Sequence, residues 1–138
     1  ATALRISDVA YPKLKAIISD CAFSSSTAAV KFSFKTGKYR FLPFYSIYFF
    51  SLIFHYLFNQ AWVPKSKPIK HVKNSRYPIL FIQSRKDTFI SDHSAQMLFQ
   101  ACPSKKELVY FDAPHILGIR DHYHAYTDKV IEFLNHCE

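Results

Sequence analysis

Two residues stand where position alone suggests chemistry: Asp87 in PILFIQSRKD and His115 in DAPHILG. Each lies in a polar loop just after an apolar run, at 78–83 and 107–111 respectively. Loops of this kind gather at the carboxyl ends of parallel strands, where sites form in open sheets. A carboxylate that accepts from one imidazole nitrogen fixes the tautomer and raises the basicity of the other nitrogen. That second nitrogen can then activate a hydroxyl. The spacing therefore predicts an acid–base pair of Asp87 and His115. Asp20, at the end of an earlier apolar run, is the runner-up acid, whereas Asp112 lies too close to its own strand end.

Other residues carry weaker patterns. Ser24, Ser25 and Ser26 follow an apolar run but lack the glycines that a sharp nucleophile-bearing turn needs. His122 and His124 are two apart, which on a helix sets them about 200° apart around the axis, so a shared metal is not expected. His55 lies within an apolar stretch and reads as a packed histidine. No cofactor and no metal site is predicted.

The elements that would position the pair read as alternating strands and helices. Residues 14–20, LKAIISD, form a run apolar on both faces, as parallel strands under helices are. Runs 78–83 and 107–111 give two more strands. Ser91 is placed to cap a helix reaching about Ala101, where Pro103 stops it. Asp121 is placed to cap a last helix whose stripe is Tyr126, Val130, Phe133, Leu134 and Cys137. Residues 1–9 carry an amphipathic helical pattern, and a turn is expected at 35–38 around Gly37. This alternation predicts an α/β domain with a parallel sheet.

The chain has 138 residues, enough for one domain with its own core. Hydrophobic residues make up 49% and there are two glycines, which excludes a low-complexity or disordered chain. A net charge of +8 allows attraction to anionic surfaces. The basic residues are scattered, however, and no nucleic-acid motif accompanies them, so no specific nucleic-acid partner is expected. Three widely spaced cysteines read as free thiols in a reducing, cytoplasmic setting. Residues 41–58 are strongly aromatic and aliphatic. They read first as a buried or covering helix, with peripheral membrane contact and a membrane span as alternatives.

The stretch PILFIQSRKDTFIS, the helix after it, ELVYFDAPHILGI and the closing helix together resemble the C-terminal part of the α/β-hydrolase fold. The likeness is to its serine-hydrolase branch of lysophospholipase-like and S33-peptidase-like enzymes. The resemblance implies that Asp87 is the triad acid and His115 the general base. The family often has glycine at the positions of residues 83–85 and directly after the histidine; here Ile116 follows His115, and the glycine is Gly118. ATALRISD and KLKAIISDCAFSSS resemble the helix after the nucleophile elbow and the next strand. On that resemblance the nucleophilic serine lies upstream of Ala1, with the first half of the sheet. Residues 1–26 and 63–138 would then be hydrolase core, and 27–62 a cap insertion. The implied activity is cleavage of an ester, thioester or amide of an apolar or acyl substrate, with this chain inactive alone. The expected partners are the missing half or a second copy at the open sheet edge. The alternative is a non-catalytic, membrane-associated or partner-binding half-domain.

Overall fold

A computed structural model describes residues 1–36, 46, 49, 53 and 66–137. Three parallel strands form one sheet in the order β1 (Ile17–Asp20), β2 (Ile79–Ser84), β3 (Lys106–Phe111). β2 is flanked on both sides and buried at all six positions, which explains its unbroken apolar start. Its side chains alternate between faces. Ile79 and Phe81 join Leu4, Ile17, Val72 and Leu98 in one core cluster. Leu80 and Ile82 join Phe111, Tyr126 and Phe133 in the other. The sheet thus has a core on each face, as a helix-covered parallel sheet must.

β1 begins at Ile17, not at residue 14 as the apolar run suggested. The reason lies in its partner: Ile17 donates to the Pro78 carbonyl at 2.9 Å, and Pro78 has no N–H with which to carry the ladder further. Helix α1 (Ser26–Thr36) follows and runs through the position expected to turn at Lys35. Helix α2 (Pro68–Val72) follows, with Pro68 in its first turn. Helix α3 (Asp92–Ala101) links β2 to β3, and Ser91 caps it by accepting from the Ser94 N–H.

Two elements differ from expectation. The pattern in residues 1–9 yields only a 3₁₀ turn, Ala3–Ile6. Leu4 is fully buried, but Ile6 and Val9 are exposed, so no continuous apolar face holds a longer helix. Asp121 does not cap the last helix. It ends a short helix, α4 (Gly118–Asp121), and its carboxylate accepts from the Arg120 Nε at 2.7 Å. Helix α5 (Tyr123–Asn135) then starts from His122 without a side-chain cap. Tyr126 and Phe133 of its stripe are buried and Val130 and Cys137 pack beside them, while Leu134 stays exposed.

Most of the aromatic segment 41–58 and of the cap 27–62 lies outside the described residues. Of 41–58, Ser46, Phe49 and Ile53 are described, and all three are helical. Among the described residues no helix is long and apolar enough to cross a membrane.

Candidate active site

The carboxyl ends of the strands are laced together before any side chain is considered. Cys21 donates its N–H to the Ile82 carbonyl at 2.9 Å, and Arg85 donates to the Phe111 carbonyl at 2.8 Å. Lys86 donates to the Ala113 carbonyl at 3.1 Å. The loop after β2 is therefore held against the loop after β3. Gln83, fully buried, donates from Nε2 to the Ile90 carbonyl at 3.3 Å and braces the loop from beneath.

On this frame the two candidate residues meet. The Asp87 Oδ1 accepts two backbone N–H groups, from Phe89 and Ile90, each at 2.8 Å. That Asx turn fixes the carboxylate plane and leaves Oδ2 for His115, whose Nδ1 lies 2.7 Å away. The Asp87 side chain is 1% exposed and that of His115 29%. With Asp87 ionised, the shared proton sits on Nδ1, and Nε2 is left as an acceptor. The Phe89 ring packs on the imidazole at a centroid distance of 5.3 Å. Helix α1 reaches the same loop from outside, as Ser33 and Thr36 donate to the Phe89 and Thr88 carbonyls.

Solved structures share this framework. An esterase of Pyrococcus furiosus matches with a TM-score of 0.68 and 20% identity, covering 97% of this chain and 48% of its own. The chain has the α/β-hydrolase fold. An enol-lactonase of Burkholderia xenovorans matches with a TM-score of 0.61 and 15% identity, covering 97% of this chain and 61% of its own. An α/β fold family hydrolase of Bacillus anthracis matches with a TM-score of 0.64 and 12% identity, covering 99% and 63%. The chain thus spans about half the length of the esterase and under two thirds of the other two. No family model and no curated protein sequence matches it.

Within the hydrolase fold, the other sequence candidates take structural roles. Asp20 accepts from the Tyr126 hydroxyl at 3.0 Å. Burial, and then the charge of Asp20, push the Tyr126 pKa up, so the phenol stays a donor. Asp112 pairs with Lys86 at the surface, and that contact holds its carboxyl below the usual range. Ser24 shares a hydroxyl contact with Ser94, Ser25 accepts from the Ala28 N–H, and Ser26 donates to the Ser66 carbonyl. His122 stacks on Phe111, and His71 pairs with Asp8 at 3.0 Å, away from the sheet ends.

One residue at the site was not singled out by the sequence. Cys21 reads as a plain buried thiol, yet its Sγ lies with Asp87 and His115 in a cluster whose ligand atoms are all within 4.8 Å of one another. It follows β1 directly, at the same strand end as the other two, and that position was the available signal. The thiol donates to the Ser84 Oγ at 3.3 Å. Burial pushes its pKa up to about 11, with Ser84 and the Ile116 backbone acting against the rise.

Cys21 and Ile116 are the non-glycine residues with positive φ among those described, at 43° and 54°. For a β-branched residue this conformation is a real strain, and such strain clusters at functional sites. Ile116 is exposed, so replacing it loses little packing. Ile116→Gly should therefore raise unfolding free energy by about 1 kcal/mol, the left-handed penalty of about 1–2 less the entropy cost of glycine. The urea midpoint reads this, and a fall in stability would show that the Ile116 side chain is anchored.

Proposed function

We propose that this chain carries the acid and base of a serine hydrolase acting on an ester, thioester or amide of an apolar or acyl substrate, with a nucleophile from outside residues 1–138. The observation that carries this reading is the Asp87–His115 pair: a buried, doubly anchored carboxylate at 2.7 Å from Nδ1 of a part-exposed imidazole. The incoming serine hydroxyl would give its proton to Nε2 as its oxygen bonds the carbonyl carbon. The imidazolium, stabilised by Asp87, would return that proton to the leaving group as the acyl-enzyme forms. Water would then repeat the sequence and release the acid. The exposed Phe89 and Ile116 beside His115 support an apolar substrate.

A fluorophosphonate probe and the coding sequence upstream of Ala1 test this together. The 138-residue chain should take up no probe at serine. The upstream sequence should encode a G-x-S-x-G elbow, and the extended polypeptide should be labelled there. Labelling of Ser24, Ser25 or Ser26, or an upstream sequence without an elbow, would end the proposal.

A specific observation favours a second role beside the first. Among the described residues β1 pairs only with β2, so its other edge has no strand beside it. An open apolar edge recruits another chain. The 138-residue chain alone should sediment as dimers or larger species, and a monodisperse monomer would count against edge pairing.

A further inference from the structure

We propose that Cys21, Asp87 and His115 form a binding site for a thiophilic divalent cation of the zinc class. Their ligand atoms, one from each residue, lie within 4.8 Å of one another. Ligands at zinc distances of about 2.0–2.3 Å in tetrahedral array stand about 3.5 Å apart, so closure takes side-chain rotation rather than a backbone shift. Each residue comes from a different strand end, and the strand ends are tied by the backbone bonds described above. The donor set is one sulfur, one oxygen and one nitrogen, leaving a fourth position for water, the pattern of an open zinc site.

The surroundings suit a metal thiolate. On binding, the Cys21 thiol loses its proton to solvent and the sulfur bonds the cation, while His115 binds as neutral imidazole. Ser84 Oγ, which now accepts from the thiol at 3.3 Å, turns to donate to the sulfur. That donor would orient and stabilise the sulfur as outer partners do in metal centres. Asp87 is held by its two backbone donors, so its placement does not depend on the cation. A bound cation would also engage His115 and stop it acting as a base; that consequence rests on the hydrolase reading, whereas binding does not.

Cobalt(II) added to the chelator-treated 138-residue chain is the probe, because a thiolate–cobalt bond gives a near-ultraviolet charge-transfer band. The band should appear at one equivalent and be displaced by zinc. It should persist in Cys137→Ser and Cys102→Ser and vanish in Cys21→Ala. His115→Ala, at a part-exposed position with little effect on folding, should weaken cobalt binding by at least about 10–100-fold, the range seen even for outer partners. No band in the wild-type chain, a band that survives Cys21→Ala, or unchanged affinity in His115→Ala would each overturn the site. Because no readout is enzymatic, a failed hydrolase assay leaves this result intact.

Discussion

Asp87→Asn should lower ester turnover about 10,000-fold in the polypeptide that joins residues 1–138 to their nucleophile, the effect of this exchange in a Ser–His–Asp triad. The geometry says why. Oδ1 of Asp87 accepts from two backbone N–H groups, so the asparagine oxygen must stay on that side. The amide NH₂ then faces His115 Nδ1 and donates to it. The imidazole is forced into the tautomer that carries its proton on Nε2, where it cannot receive one from a hydroxyl. The loss should fall on kcat with KM little changed, because in the proposed triad Asp87 would act through His115 rather than on the substrate. His115→Ala should cost a similar amount, and the double variant hardly more, since residues acting as a unit are not additive. Asp112→Asn, at an exposed ion pair with Lys86, and Asp20→Asn, at the Tyr126 hydroxyl, provide the comparison. If Asp87→Asn stays within about tenfold of wild type while Asp20→Asn abolishes turnover, the acid has been misassigned.

How much of this is legible in the sequence depends on which physics each residue reports. β2 was readable because a strand buried on both faces leaves an apolar run, and Pro78 and the polar loop mark its ends; β3, only partly buried at five of its six positions, still shows the apolar run 108–111. Ser91 was readable because a cap is a local hydrogen bond. The meeting of Asp87 and His115 was readable because parallel topology sends loops after strands to one edge. Cys21 obeyed the same rule but looked inert, since its approach to the pair depends on a φ of 43° that no residue type announces. Residues 1–9 misled for the opposite reason. A helical period was present, but of its apolar positions Ala1 and Leu4 meet the core while Ile6 and Val9 stay exposed, and Asp8 pairs with His71. The start of β1 was set by Pro78, sixty-one residues later than Ile17. Periodicity cannot report a missing donor on a partner strand.

The largest stability effect should come from Phe81→Ala. Phe81 occupies the middle of the central strand, is 2% exposed, and meets Phe99 edge to face at a centroid distance of 6.3 Å. Its neighbours in the cluster come from four other elements: Leu4 of the 3₁₀ turn, Ile17 of β1, Val72 of α2 and Leu98 of α3. Removing the ring takes away its transfer free energy and leaves a void that rigid strand backbones on both sides cannot close. The expected loss is about 3–5 kcal/mol, a large part of the roughly 5–15 kcal/mol that holds a domain folded. Urea denaturation should show the midpoint falling with the slope preserved. The Phe81 backbone pairs with Ser19 and Leu108, so the ladder itself should survive and Phe81→Leu should recover most of the loss. A Phe81→Ala chain within about 1 kcal/mol of wild type would mean that the first core cluster does not govern folding. Because the Asp87 and His115 loops are laced to the far ends of β2 and β3, that variant should also blur the site before it unfolds. In the joined polypeptide, turnover should therefore decline at lower urea than the loss of helical signal, and coincident transitions would show that the strand ends hold without the core beneath them.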